Sequence, residues 1–526
     1  MPQLPAEPND VFAVALQDPT RPAVVGPDGL TTTFGELARR AHRVANAMRE
    51  LGLTQGDTVS ALLHNSTECL EILLAVQQIG LYLVPINTHL TAEEVAYIVE
   101  DSGSKALFAS ADLARALAPV LGRLPSARYA VDGSADGWSA YQELRDTASS
   151  AKPENRSLGM TMGYTSGTTG RPRGVRRPLP PIPPEAVAEH SQVLMAQVGL
   201  VPGRAVHLLF SPFYHAAPGN FALGALQLGH TIVIRRKFDA AQVLTDIERY
   251  GVTSMHTVPT HIHRIMRLPK RFRAERRLES LQTIVVAGAP FPIDTKRAAL
   301  EWFGPVVWEY LGSTEGAISL VSPQEALDRP GTLGRPAAVK ILGEDGAELP
   351  PGEVGLIYST LGGATFEYHN DADKTAKAVR TDGYMTVGDL GHLDEDGYLY
   401  LADRRDDLII TGGVNVYPAE IEQRLHSHPA ILDVAVIGTP DPDWGASVVA
   451  VVQLEQGEEP TEELRADLDR HCREGLAAHK CPRRYEFRDT LPRTATGKLL
   501  RRVLRDEVDE GRSAAVPPPA PEAFGG

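Results

Sequence analysis

Apolar positions recur at helical spacing over 66–79, and this pattern predicts a helix followed by a short buried strand over 81–86. Thr91, with Glu94 three residues later, forms a capping box that opens the next helix. The runs 206–210, 231–234 and 284–286 are short, apolar, ended by Gly or Pro, and each lies near a helical segment. Alternation of this kind predicts α/β layers built on largely parallel sheets. The proline-dense stretch 178–184 predicts an extended, exposed loop.

The pattern changes near 394–407. A turn signal, Asp394-Glu395-Asp396-Gly397, precedes a strand-like run at 398–401 and then the charged Asp403-Arg404-Arg405-Asp406-Asp407. Beyond it lies a small unit of about a hundred residues, an ordinary domain size. It holds a helix started by Pro418, β runs at 434–437 and 448–454, and a helix with Leu464, Leu468, Cys472 and Leu476 on one stripe. The expected division is 1–402, 403–512 and a disordered Ala/Pro/Gly tail, 513–526. There is no internal repeat.

Composition narrows the class. The apolar fraction of 43% supports a packed core, and the net charge of −15 disfavours nucleic acid and acidic membranes as partners. Cys69, Cys472 and Cys481 form no C-x-x-C pair, and an odd number fits a reducing cytoplasm. The first residues show no signal-peptide pattern. The most apolar stretch, 70–86, carries Glu71, Gln77, Gln78 and Pro85, too short and too polar a segment to span a bilayer. A cytoplasmic, multi-domain protein is expected, with monomer and homodimer both open.

The densest chemical signal is Tyr164-Thr-Ser-Gly-Thr-Thr-Gly-Arg-Pro-Arg-Gly174. Glycines let backbone N–H groups approach phosphate oxygens, while the hydroxyls and arginines add further donors. It is not a G-x-x-x-x-G-K-[ST] loop. Further stretches follow in order: Ser211-Pro-Phe-Tyr-His215, Ala287-Gly-Ala-Pro290, Glu309-Tyr-Leu-Gly-Ser-Thr-Glu315, Asp382-Gly-Tyr-Met-Thr-Val-Gly-Asp389, Gly412-Gly413-Val-Asn-Val-Tyr-Pro and Pro492-Arg-Thr-Ala-Thr-Gly-Lys498. In this combination the chain resembles the adenylate-forming enzymes: acyl-CoA synthetases, nonribosomal peptide adenylation domains and beetle luciferases. The resemblance covers essentially the whole chain from about 20 to 507.

The resemblance implies a large N-terminal domain of layered α/β sheets with a β-barrel-like subdomain, plus a small mobile α+β C-terminal domain. It also implies roles. Thr165, Ser166, Gly167, Thr168, Thr169 and Gly170 would wrap the β- and γ-phosphates of ATP, with Arg173 beside them. Gly288, Ala289 and Pro290 would run along the adenine and Tyr310 would stack on it, within the stretch that includes Glu309, Gly312 and Ser313. Thr314 would bond the α-phosphate, Glu315 would help hold Mg²⁺, and Asp389 would accept both ribose hydroxyls, a charge-assisted pairing. Arg404 would add a second ribose contact, with Arg405 as its rival, and Lys498 would bridge the carboxylate and the α-phosphate. That chemistry needs positive charge, because a carboxylate must attack an anionic phosphorus.

Three positions depart from the family pattern. Arg173 replaces the loop lysine, Asp403 replaces the glycine before the hinge arginine, and Asp406, the expected hinge, stands where a lysine is usual, with Asp407 nearby. A planar guanidinium is not a compact ammonium, so the phosphate contact at Arg173 is expected to differ.

The acid pocket is expected around His215, Phe213, Tyr214, Ala216, Ala217, Phe221, His256, Ala287, Gly288, Leu311, Gly316 and Ala317. No Asp or Glu lies between Leu208 and Thr231 to pair an α-amine, which disfavours an amino acid and leaves fatty, aromatic and polycyclic acids open. The stretch 409–422, with Gly412 and Gly413 on the CoA side, looks most like the CoA-ligase branch. The expected activity is an AMP-forming acid–CoA ligase using ATP, Mg²⁺ and CoA. Transfer of the adenylate to an amine or a carrier protein is the alternative.

Overall fold

The structure is a computed structural model that describes residues 10–165, 172–363, 365–411, 414–442, 444–494 and 499–509. The apolar runs become the inner strands of two sheets. An eight-stranded sheet has the order Ala317–Val321, Val307–Gly312, Thr283–Val286, Ser254–Thr257, Val206–Leu209, Thr231–Ile234, Pro22–Val25 and Thr31–Thr33. Its interior ladders are parallel and both edges are closed by an antiparallel strand. A six-stranded, all-parallel sheet holds Ser139–Ala140, Ala127–Ala130, Ser104–Ala109, Thr58–Leu62, Tyr82–Pro85 and Met160–Thr161.

The expected 66–79 helix forms as Thr67–Gln78 and is buried almost throughout. It packs with Phe34–Glu50 in a core that also takes Leu209, Ile232 and Val285 from the eight-stranded sheet and Val59, Leu83 and Phe108 from the six-stranded one. Both sheets therefore cover this helix, which explains why its apolar positions run nearly all the way round. Glu71 is the charge inside that core. Its carboxylate is met by Arg40 at 3.1 Å, Arg145 at 3.3 Å and the Tyr141 hydroxyl at 2.9 Å, the full pairing a buried charge needs.

The portion expected to be barrel-like consists of antiparallel ladders. Val339–Leu342, Gly355–Ser359, Asp389–Leu393 and Leu399–Arg404 form one sheet. Glu367–Tyr368, Arg173–Arg176 and Gly163–Thr165 form a smaller one. Pairing continues through 402–403 as far as Arg404 opposite Asp389, so the chain leaves this sheet at Arg405.

In the C-terminal unit the β runs are longer than their apolar cores. Ile431–Asp441 and Gly445–Leu454 pair along their whole length, because ladder hydrogen bonds do not require apolar side chains. Arg484–Phe487 adds in parallel, Pro418–His426 and Glu462–Gly475 cover one face, and Arg501–Asp509 covers the other. Leu476 is the C-cap of its helix rather than a member. Among the described residues no helix is long and apolar enough to cross a membrane, and Cys69, Cys472 and Cys481 are free and buried.

Candidate nucleotide and acid site

In open parallel sheets ligands bind beyond the carboxyl ends of the strands. Three of the quoted stretches lie there. Thr283–Val286 runs into the Ala287–Pro290 turn, where Gly288 has φ of +91°, a left-handed conformation that a side chain would strain. Val307–Gly312 carries Tyr310 and then turns back into Ala317–Val321. At the tip, Ser313 N–H donates to Gly316 O at 2.9 Å and Glu315 N–H to Ser313 Oγ at 3.2 Å, so Thr314 and Glu315 sit on a closed turn. Along the strand Glu309 alternates with Tyr310 and ion-pairs with Lys296 of the helix Ile293–Phe303. Glu309 was expected along the nucleotide, and the pleat, which turns neighbouring side chains to opposite faces, directs it away from Tyr310's side. Burial pushes the Glu309 carboxyl up and Lys296 counters it.

The small antiparallel sheet grips this turn. Its hairpin, Gly163–Thr165 and Arg173–Arg176, flanks the hydroxyl-rich loop. Arg177, next along the chain, donates from one guanidinium nitrogen to Thr314 O at 2.7 Å and Glu315 O at 2.9 Å. Burial lowers Arg177, and the nearby Glu315 carboxylate offsets part of this. From the third strand, the Tyr368 hydroxyl donates to Glu315 Oε1 at 2.9 Å, and burial beside that carboxylate pushes the phenol well up, keeping it a donor. Gly163 approaches so closely that an added Cβ would lie 2.9 Å from the Thr314 methyl. Arg177 and Tyr368 are thus functional-site candidates that sequence reasoning missed, and neither stood in a quoted stretch.

Arg173 has partners of its own. Its Nε donates to Asp371 at 2.8 Å and a terminal nitrogen to the Tyr97 hydroxyl at 2.9 Å. Thr165 pairs with it across the hairpin. Asp389 is buried, opposite Arg404 in register.

On the acid side, Asn65 braces the stretch before His215. It donates to Ser211 O at 2.9 Å and accepts from Phe213 N–H at 2.8 Å, another contact without a sequence signal. Tyr214 and His215 rings lie 4.5 Å apart, and His215 caps the helix Ala216–Gln227 that begins with Ala216 and Ala217. From this helix Phe221 stacks on His256 at 5.3 Å and meets Tyr310 at 6.0 Å. His256 and Tyr310 are 6.4 Å apart. Phe221, His256 and Tyr310 therefore form one cluster. Other expected pocket residues do not join it: Leu311 alternates with Tyr310 and packs on the opposite face of the sheet in a core with Ile284 and Val286, Ala317 is exposed, and Gly316 is closed off by Leu361 at 2.7 Å from its would-be Cβ.

Several expected residues lie outside the described ones: Ser166, Gly167, Thr168, Thr169, Gly170, Gly412, Gly413 and Lys498, with the 513–526 tail. The backbones of Arg404 and Asp406 are described, and their side chains are not. Among the described residues no cluster of three or more His, Cys, Asp or Glu is suited to holding a metal ion.

Layered parallel sheets with a Thr-Glu turn held beyond their carboxyl ends are what the resemblance to adenylate-forming enzymes leads one to expect. The chain belongs to the AMP-binding enzyme family: that family matches residues 11–366 and the AMP-binding enzyme C-terminal domain matches 420–498. It is 34% identical to a fatty acid–[acyl-carrier-protein] ligase, ScoC, of Streptomyces coeruleorubidus, over 94% of this chain and 94% of that one. It is 33% identical to a feruloyl-CoA synthase of an Amycolatopsis species, over 91% of this chain and 94% of that one. Among solved structures it resembles the amide bond synthetase McbA from Marinactinospora thermotolerans, with a TM-score of 0.80, 28% identity, and 92% and 96% of the two chains covered.

Proposed function

We propose that this enzyme is an AMP-forming acid–thiol ligase that joins an apolar carboxylic acid to ATP as acyl-AMP, releases pyrophosphate, and passes the acyl group to CoA. The carrying observation is the Thr314–Glu315 turn, held by Arg177 and Tyr368 against the hairpin that presents the hydroxyl-rich loop. A Thr-Glu turn beside the chain ends of a hydroxyl-rich loop supports a triphosphate site, which needs hydroxyl, amide and carboxylate groups. Splitting the reaction through a mixed anhydride makes an unreactive carboxylate electrophilic.

A single buried carboxylate, Glu315, suits Mg²⁺, which dehydrates reluctantly and rides on substrate phosphates with one or two protein carboxylates. When bound, the ion would neutralise phosphate charge. In this reading Asp389 and Arg404 hold the ribose, Tyr310 and the 287–290 turn the adenine, and Lys498 bridges the acid and the α-phosphate. The unit from 403 to 512 pivots near Asp406 between the two half-reactions, and Gly412 and Gly413 face CoA. A hinge on a short charged linker suits such a motion. The setting is cytoplasmic, in keeping with three buried thiols.

Amide formation and loading of a carrier protein share the first half-reaction, and the names of McbA and ScoC keep both acceptors in view. The test is AMP and pyrophosphate release with Mg·ATP across fatty, aromatic and polycyclic acids, with and without CoA. Multiple turnover requiring CoA, with acyl-CoA seen by mass spectrometry, is expected. Release limited to one enzyme equivalent with CoA ignored would assign another acceptor. In the same assay Lys498→Ala should lower adenylate formation at least about a hundredfold, the scale of losing a preorganised charge at the reacting phosphate.

A further inference from the structure

The sheet face beneath the helix Ala216–Gln227 is mostly apolar, with Leu209, Ile232, Ile234 and Val285 in its core. Two histidines interrupt it. His207 is half satisfied, because its Nδ1 pairs with Ser254 Oγ at 3.0 Å while its Nε2 has no partner among the described residues. His256 is 3% exposed, and neither ring nitrogen has a hydrogen-bond partner among the described residues. An imidazole in such a place is a poor filler, since Leu or Met would occupy the volume without burying polar atoms. Adjacent Met255 is such a residue, packed in the core on the other face.

Position gives the ring a use. His256 lies one residue before the carboxyl end of Ser254–Thr257, the side where ligands of parallel sheets bind. Phe221 stacks on it at 5.3 Å with 23° between the planes, which fixes the ring plane and the directions of Nδ1 and Nε2. Tyr310, the proposed adenine platform, is 6.4 Å away, so the ring stands next to the proposed nucleotide site. Burial, with His215 nearby, pushes the imidazole down to about 3, so it is neutral at pH 7. A neutral imidazole presents one N–H donor and one acceptor nitrogen, the complement of a hydroxyl, which also gives and takes one hydrogen bond.

We propose that His256 is a specificity-determining residue that hydrogen-bonds a neutral oxygen on the acid, so that the pocket selects hydroxylated acids over their unsubstituted counterparts. The inference rests on the assignment of Phe221, His256 and Tyr310 to the acid side of the site and narrows the substrate class within that reading. Selectivity of this kind exceeds what a methylene contributes, because an acid lacking the oxygen leaves a buried polar group unpaired.

The experiment compares kcat/KM for pyrophosphate release by the full chain on matched acids: 4-hydroxycinnamate and cinnamate, 4-hydroxybenzoate and benzoate, 12-hydroxydodecanoate and dodecanoate. The wild-type enzyme should favour the hydroxylated member of at least one pair by about tenfold or more. His256→Leu should abolish that ratio by losing more activity on the hydroxylated acid than on the unsubstituted one, and His256→Asn, which still donates and accepts, should keep part of it. A wild-type preference for the unsubstituted member in every pair overturns the proposal. So does an unchanged ratio in His256→Leu, or, should that variant not fold, an enzyme in which His256→Phe has the same ratio as His256→Asn. Absence of pyrophosphate release with all six acids and the wider panel would instead overturn the ligase reading on which it rests.

Discussion

Tyr368 and Glu315 show how one hydrogen bond can set a functional group. The phenol holds Oε1 at 2.9 Å inside the protein, which orients the carboxylate before any ligand arrives. A hydrogen bond to a charged group contributes about 1.5–3 kcal/mol, so Tyr368→Phe should raise the Mg²⁺ concentration for half-maximal adenylation by about tenfold or more. A Mg²⁺ titration of pyrophosphate release checks this, and an unchanged midpoint would leave Tyr368 as packing alone. Arg173 poses a sharper question, because its guanidinium is held by Asp371 and Tyr97. If it anchors the hairpin, Arg173→Ala and Asp371→Ala should raise the ATP KM by similar factors and the double variant by no more than either. A direct phosphate contact would make Arg173→Ala the more damaging alone. Thr314 and Glu315 were legible because they sit in a contiguous stretch of chemistry-bearing residues. Arg177, Tyr368 and Asn65 were not, since their contacts span 137, 53 and 148 residues and no local spacing encodes them.

Elements were legible where a local rule fixes them. The Thr91 box forms as read: Thr91 Oγ accepts from Glu94 N–H at 3.4 Å and the Glu94 carboxylate accepts from Thr91 N–H at 2.7 Å. Thr91→Ala should therefore cost about 1 kcal/mol of stability, read as a lower midpoint in chemical denaturation, because it removes the cap of the helix Ala92–Asp101. Apolar runs likewise predicted the inner parallel strands to within a residue at each end. Sheet order was not legible, because runs such as Thr231–Ile234 and Thr283–Val286 are chemically alike and the crossovers decide their neighbours. The short strands Gly163–Thr165 and Arg173–Arg176 were also hidden. Their composition is that of a loop, and only pairing with each other and with Glu367–Tyr368 makes them strands. Leu311 illustrates the same limit, because strand alternation decides which side of the sheet a residue faces, and a linear stretch such as 309–315 does not reveal which side carries the site.

Taken over the whole molecule, burial has left a titratable signature. His207, His256 and His261 are pushed down to about 3 and His263 to about 4, in each case mainly by burial. The free imidazole titrates near 6.5. Between those values the unfolded chain binds a proton that the folded chain refuses, so stability falls as the pH drops below about 6.5 and levels off above it. Each such histidine contributes a slope of about 1.4 kcal/mol per pH unit across the window. Asp10, Glu68 and Glu309, raised by burial, act in the opposite sense and offset part of this near the acid end. A difference measurement isolates one group. His261 stacks on Phe238 at 3.9 Å beside Phe210 at 5.6 Å, away from the Phe221 cluster. His261→Leu should therefore lower the slope of unfolding free energy against pH by about 1.4 kcal/mol per unit between pH 5 and 6, whatever it does to stability at pH 7. Urea unfolding of both proteins at several pH values gives the two slopes, and equal slopes would mean that His261 takes up its proton in the folded state.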